Sequence, residues 1–441
     1  MLSFFMAQSL KSHYNSAMTT HDLKHLYIHI PFCQTRCAYC DFNTFANRED
    51  FMQRYIDALC LHLERMVSGE TSVDPTWPKI ATHAIPWAKY ELHDLTGPLQ
   101  QADLPATVFL GGGTPTALPL PLLEKLMQTI GRIIPLEQAE VTSEANPGTV
   151  LDLNYLRAMR SMGINRLSMG VQTLHDPTLR VLGRIHTASE ALASYQAARK
   201  VGFENINLDF MFGLPGQDIA QWRAMLKQIV GWDTEHFALY SLIVEPTTPL
   251  AAQVTAGRVS IPNDDATGEM YEVAMDILGT AGYGHYEISN WAKTQSSNFN
   301  PSESLPAYAS RHNVAYWLNA DYLGVGAGAH SHWRGWRWVD QRVLEPFAQQ
   351  VEGGQAPLID IQQCEPHDRD FETIMMGLRL NCGLGFTHFQ QRTDHDLLER
   401  YQPVIDQLIA QGMLEQTPNA IRFTPRGRMV GNQVIERFLV D

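Results

Sequence analysis

Six short β-rich runs, each followed by a stretch with helical periodicity, set the strongest limit on what this chain can become. The runs are "HLYIHI", "ATVFL", "AEVTSEA", "INRLSMG", "NINLDFMF" and "HFALYSLIV". The helical stretches fall at 49–67, near 120–132, near 151–161, at 187–200, 218–230 and 265–280. Strands separated by helices of that length imply a parallel sheet with right-handed crossovers, closed or partly closed into a barrel. About six such units are present, fewer than the eight of a full barrel. The expected fold is therefore α/β, an incomplete parallel (β/α)6 barrel over 26–295.

Residues 70–104, with several prolines and no clear period, read as an inserted loop. The stretch "SSNFNPSESLPAYAS" near 296–310 separates the barrel from an extension and linking segment that runs to 365. Beyond it the pattern is helix (368–380), helix (394–412), a hairpin in "MLEQTPNAIRFTPRG" around Pro418 and Asn419, and a final helix. That order predicts a smaller, mostly helical, winged-helix-like domain over 366–441. A winged helix often meets DNA, but the chain has 33 Lys and Arg against 47 Asp and Glu and a formal charge of −14, which disfavours a polyanion as partner. No apolar run approaches the roughly 18 residues of a membrane span. Residues 1–25 read as a disordered leader, with Met6 or Met18 as possible starts, and contain no arginine of the kind a transit peptide carries. Six cysteines in 441 residues are too sparse for a disulfide scaffold, so a reducing cytoplasm is expected.

Three of those six stand together. "HIPFCQTRCAYCDFNTF" places Cys33, Cys37 and Cys40 just after the first strand, where active-site loops emerge in parallel α/β folds. Structural zinc ordinarily takes four protein ligands and a closed cubane four thiolates. With three thiols, either His29 completes a zinc site or a [4Fe–4S] cluster keeps one iron free for another ligand. Cys60, Cys364 and Cys382 read as inert core or surface residues.

The Cys-x3-Cys-x2-Cys spacing, with Tyr39 before the last thiol, resembles the radical S-adenosylmethionine superfamily. There the open iron is chelated by the cofactor's amino and carboxylate groups, and one electron from the cluster cleaves the sulfonium bond. Directly after "ATVFL" comes "GGGTP", three glycines that remove every Cβ where a backbone must touch a ligand. In this place it resembles the superfamily's loop for the cofactor amino group. "SEANP" (Glu144, Asn146), "GVQ" (Gln172), "LGRIH" (Arg184, His186) and "NLDFMFGLPGQ" (Asp209) follow at successive strand ends. Taken singly, Asp209 could cap a strand, Arg184 could form a surface ion pair and Gln172 could serve a turn. Together they offer a carboxylate for ribose hydroxyls and a guanidinium for a carboxylate.

"YIHIPFC", "AYCDFN", "GGGTPT", "SEANP", "GVQ" and "DFMFGLPGQ" resemble the branch that holds the oxygen-independent coproporphyrinogen III oxidases and the HemW-type haem chaperones. The likeness runs from about residue 26 to the C-terminus, apart from 70–104. It implies that Cys33, Cys37 and Cys40 bind the cluster, and that Tyr27, Tyr39, Gly112, Gly113, Thr114, Glu144, Gln172, Arg184, Asp209 and Ala238 line the S-adenosylmethionine site. The oxidases carry a fourth cysteine two residues after the third, where this chain has Phe42. The chaperone branch has Phe there and an H-N-x-x-Y-W motif, matched by "HNVAYW" from His312 to Trp317. His312 is then a candidate haem ligand with aromatic neighbours that could stack on a porphyrin. The alternative is that His312 and Asn313 bond the backbone while Tyr316 and Trp317 fill core space. His330 and His332 in "GAGAHSHW" are rival ligands, although its glycines more simply signal close packing. Met375 and Met376 read as core filler. The resemblance thus implies a haem carrier that delivers to an unidentified acceptor protein and draws on an electron donor, with oxidative decarboxylation of coproporphyrinogen III as the enzymatic alternative.

Overall fold

The computed structural model describes residues 23–68, 95–96, 99, 104–296 and 298–439. The leader, up to residue 22, and most of the 70–104 insert lie outside the described residues.

The six runs form six parallel strands: β1 (His25–Ile30), β2 (Ala106–Gly112), β3 (Ala139–Ala145), β4 (Arg166–Gln172), β5 (Ile206–Phe212) and β6 (His236–Ser241). They lie side by side in chain order. The crossovers carry α1 (Met52–Ser68), α2 (Leu120–Gly131), α3 (Leu153–Ser161), α4 (Ala188–Lys200), α5 (Ile219–Val230) and α6 (Asp264–Thr280). Two of these helices start at full capping boxes, Thr187 with Glu190 and Asp218 with Gln221. Such reciprocal bonds satisfy amides that the first helical turn leaves open. Beyond β6 the antiparallel pair β7 (Tyr283–Glu287) and β8 (Asn290–Lys293) extends one edge.

At the other edge the segment that the sequence read as a linker contributes β9 (Leu323–Val325), parallel to β1. The sheet therefore has nine strands, seven of them parallel. The extension also builds a three-stranded antiparallel sheet from β10 (His330–Trp333), β11 (Trp336–Asp340) and β12 (Leu358–Gln363). From the insert, Leu95–Thr96 pairs antiparallel with Ser304–Leu305. No helix among the described residues is long and apolar enough to cross a membrane.

Side chains alternate across each strand, and the two faces differ sharply. Ile28, Val108, Val141, Leu167, Leu208 and Phe237 join the helices in the main core. Many of the residues between them turn inward and are polar, and several bond one another: His25 Nδ1 to Thr107 Oγ1 at 3.0 Å, Asn207 Nδ2 to Ser168 Oγ at 2.8 Å, and His236 Nδ1 to Asn207 Oδ1 at 2.6 Å. The lower barrel is thus a hydrogen-bonded polar interior.

The C-terminal part has a core of its own around Ile374, Phe389, Leu397, Ile405 and Ile421. Its helices Pro366–Gly377, Phe386–Thr393 and Leu397–Ala410 accompany strands Leu384–Gly385, Leu414–Gln416 and Ala420–Phe423. The expected hairpin turns through Thr417–Asn419. The helix Phe386–Thr393 was not foreseen; it is split from the next by Asp394 in the left-handed conformation, φ 64°.

Candidate cluster and cofactor site

The cysteine loop leaves and rejoins the barrel at one place, because Phe32–Cys33 pairs in parallel with Phe45–Ala46. Backbone bonds fix it from several sides. The amides of Gly113 and Thr114 donate to the carbonyls of Ile30 and Phe32, Ala38 donates to Leu182, and Leu250 donates to Ala38. Asn43 Nδ2 reaches across to the carbonyls of Ala327 and Arg342 at 2.8 and 2.9 Å.

All six cysteines are free thiols, with Cys33, Cys37 and Cys40 half-buried. Cys33 Sγ accepts from Thr114 Oγ1 at 3.7 Å and Cys37 Sγ from Arg184 Nη1 at 3.5 Å, while Cys40 Sγ lies 4.0 Å from Thr44 Oγ1. Two donors aimed at sulfur suit thiolate ligands. His29 is not available to complete a zinc site in this structure: its Nδ1 meets Tyr27 Oη and its Nε2 the carbonyl of Asn43, both at 2.9 Å. Three half-buried thiols on one clamped loop, with both His29 nitrogens already bonded, fit a cluster with one open iron.

The glycine run serves this packing as well as exposing backbone. Gly112 has φ +106°, and a Cβ on it would lie 2.4 Å from His29 Cε1; one on Gly113 would lie 2.6 Å from the carbonyl oxygen of Phe32. Side chains cannot enter where the two loops touch.

A chain of hydrogen bonds ties the strand ends to the cysteines. Arg184 Nη2 donates to the carbonyl of Gly170 at 2.6 Å and to Asn146 Oδ1 at 2.7 Å. Asn146 Nδ2 donates to Thr114 Oγ1 at 2.7 Å, and Thr114 in turn donates to Cys33. Asn146, quoted in the sequence but given no role there, joins both halves of this chain. Gln172 lies at a break in the β4–β5 register with φ +70°, and its side chain folds back over Gly170.

Glu144 accepts from the Gly112 amide at 3.0 Å. Burial, and then the nearby Asp209, push its carboxyl up to about 8. Burial also raises Asp209, to about 6, against a 2.6 Å hydrogen bond from Asn207. Tyr39 lies near Arg184 and Asp209, and burial drives its hydroxyl upward. Tyr27, which stacks on Phe109, shifts the same way for the same reason, with Glu144 adding to the rise. Ala238 sits in register with Asp209, wholly buried. The structure therefore brings Tyr39, Gly112, Gly113, Thr114, Glu144, Gln172, Arg184 and Asp209 toward the cysteine loop, with Tyr27 tied to it through His29 and Ala238 placed only by its register with Asp209.

His312 is elsewhere. It sits on the short helix Arg311–Trp317, inside the opposite end of the barrel. Its Nδ1 meets Thr107 Oγ1 at 2.7 Å and its Nε2 meets Tyr316 Oη at 2.9 Å, with 1% of its surface exposed. Glu140 accepts the amides of Arg311 and His312 at 3.1 Å each. Burial holds the imidazole well below its usual pKa. Trp317 faces the guanidinium of Arg379 at 4.4 Å. In this conformation both ring nitrogens of His312 meet side-chain hydroxyls, not the backbone of the alternative reading, and Tyr316 and Trp317 are only partly buried.

His332, Cys364 and Glu372 form the one group of three such donors among the described residues whose ligand atoms all lie within 4.8 Å of one another. Cys364 was read as inert. Arg337 occupies the same place, donating to Glu372 Oε2 at 2.6 Å, so a cation of the chain already balances the carboxylate.

Two family models match the chain, the radical SAM superfamily over residues 99–229 and the HemN C-terminal domain over 365–430. The chain is 33% identical to the haem chaperone HemW of Bacillus subtilis, over 95% of this chain and 99% of that protein. It is 31% identical to the protein of that name from Lactococcus lactis, over 94% and 97%. Among solved structures it resembles the coproporphyrinogen III oxidase HemN of Escherichia coli, a radical SAM enzyme, with TM-score 0.72 at 20% identity over 98% of both chains. That last likeness shows the fold.

Proposed function

The chain belongs to the HemW haem chaperone family of the radical SAM superfamily, and we propose from this that it binds haem and passes it to an acceptor protein in the reducing cytoplasm. Cys33, Cys37 and Cys40 would hold a [4Fe–4S] cluster, and the barrel mouth would hold S-adenosylmethionine. Once bound, that pair would act in a carrier as a gate or structural trigger without turnover; in an enzyme it would supply one-electron cleavage of a sulfonium, which requires an electron donor.

The chain's own residues prepare the place. Arg184 spans Cys37, Gly170 and Asn146, so one guanidinium orients both the cysteine loop and the strand ends. Glu144, protonated at neutral pH while no cation faces it, can release that proton to accept an ammonium group. Asp209 faces the same space and offers oxygens to ribose hydroxyls.

The observation that carries the carrier reading is Phe42. It stands where the oxidase branch has its fourth cysteine, and it is 69% exposed at the cysteine loop. Oxygen-free protein titrated with haemin and followed by absorbance should bind it tightly. The same protein, given coproporphyrinogen III, S-adenosylmethionine and reductant, should yield no vinyl product by chromatography. Catalytic vinyl formation would replace the carrier reading with the oxidase one.

A further inference from the structure

The three-stranded sheet of the extension collects metal-binding side chains on one face. His332 of β10 lies opposite Arg337 of β11, and Arg337 lies opposite Gln362 of β12, so the three share a face. Cys364 stands two residues beyond Gln362 and continues it. The Cys364 amide donates to the Gly335 carbonyl at 2.7 Å, which keeps the chain against the sheet at that point. Glu372 meets this face from the helix Pro366–Gly377, which Thr373 ties to the extension through a 3.1 Å bond from Asn319 Nδ2.

A ring nitrogen of His332, the sulfur of Cys364 and a carboxylate oxygen of Glu372 all lie within 4.8 Å of one another. His332 is 1% exposed, and its Nδ1 is buried with no hydrogen-bond partner. The ring bonds the Ala320 carbonyl, and that bond therefore belongs to Nε2. With the proton on Nε2, Nδ1 presents a lone pair, the arrangement a backbone carbonyl imposes on a metal-ligating histidine. Burial, and then Arg337 and Arg392, hold the imidazole well below its usual pKa, in the neutral form that binds metal. Burial also raises the Cys364 thiol, which would give up its proton to an arriving ion.

Imidazole, thiolate and carboxylate together are the donor set of a borderline-soft divalent ion such as zinc. Arg337 is the resident cation, donating to Glu372 Oε2 at 2.6 Å and to Asn319 Oδ1 at 3.5 Å. Its side chain is 23% exposed and that of Glu372 21%, so the pair opens to solvent and gives an ion a way in.

We propose that His332, Cys364 and Glu372 form a second metal site, separate from the cysteine loop, which takes zinc or a similar divalent ion in exchange for Arg337 and fastens the helix Pro366–Gly377 to the extension sheet. Water would complete the coordination. The test is oxygen-free equilibrium dialysis of the full, cluster-loaded chain against zinc, with iron and zinc measured on the same sample and cobalt(II) as the spectroscopic probe. Wild type should take up about one zinc per chain without losing cluster iron, and cobalt should show a thiolate charge-transfer band. Cys364→Ser should lose that band and bind zinc at least about tenfold more weakly, with the cluster spectrum unchanged as the check on folding. Glu372→Gln should weaken binding and keep the band. Arg337→Gln, which removes the competing cation, should bind at least about threefold more tightly. No zinc uptake, uptake only as cluster iron is lost, or a Cys364→Ser chain that binds as wild type does would overturn the site. Weaker binding in Arg337→Gln would overturn the exchange.

Discussion

Replacing Glu144 by glutamine should change how stability depends on pH, by an amount that follows from where this carboxyl sits. Its pKa is raised from 4.5 to about 8 by burial and by Asp209. In the unfolded chain it ionises near its ordinary value. Its contribution to stability is therefore fully present below about pH 4.5 and is lost as pH rises toward 8. At about 1.4 kcal/mol per pH unit the full span approaches 5 kcal/mol. Glu144 keeps a partial opening to the mouth, so water lessens the shift, and a loss of about 2–4 kcal/mol is the expected range. Urea unfolding of cluster-free protein, at steps from about pH 5 to pH 8, should show wild type losing that much relative to Glu144→Gln at equal m-values. The other raised carboxyls, Asp209, Glu287 and Asp340, are present in both proteins and largely cancel in the difference. Parallel curves would mean that the carboxylate is already ionised in the fold and would refute the reasoning.

Arg184→Lys keeps the charge but cannot reproduce the fork to Cys37, Asn146 and Gly170; a loss of about 2 kcal/mol or more in urea is expected, with a smaller change of the cluster spectrum on adding S-adenosylmethionine. Full retention of both would contradict its spanning role. Gly112→Ala places a Cβ against the His29 ring at φ +106°, so it should destabilise by about 2–4 kcal/mol and reduce the iron taken up on reconstitution; a neutral effect on both would show that the loops need not touch. Asn43→Ala removes the donors to Ala327 and Arg342, so amide exchange across residues 326–330 should speed up about tenfold or more, and unchanged exchange would sever the tie between the cysteine loop and that turn.

The barrel strands are legible because each one turns an apolar face to the helices, and the helices because period and caps agree, as at Thr187 and Asp218. The cysteine loop stands out in the sequence through its spacing together with the glycine run and strand-end residues that follow it. β9 is not: three residues, Leu323 to Val325, become a strand through pairing with β1, nearly 300 positions earlier. The polar inner face is hidden for the same reason, since Thr107 meets His312 across 205 positions. "HNVAYW" looks like a ligand motif when read locally, yet Thr107, Glu140 and Tyr316 occupy its polar groups once the barrel closes around it. Asn146 shows its role only when three strand ends stand together. Cys364 reads as an isolated thiol until the fold sets it beside His332 and Glu372.

The most direct measurement is electron paramagnetic resonance of the reduced, oxygen-free protein before and after addition of S-adenosylmethionine, with metal content determined on the same sample. Cubane iron on Cys33, Cys37 and Cys40 should give a spectrum that shifts when the nucleotide binds, and each single cysteine-to-alanine variant should abolish or grossly alter it. Zinc in place of iron, or a cubane spectrum that the nucleotide leaves unmoved, would contradict the assignment.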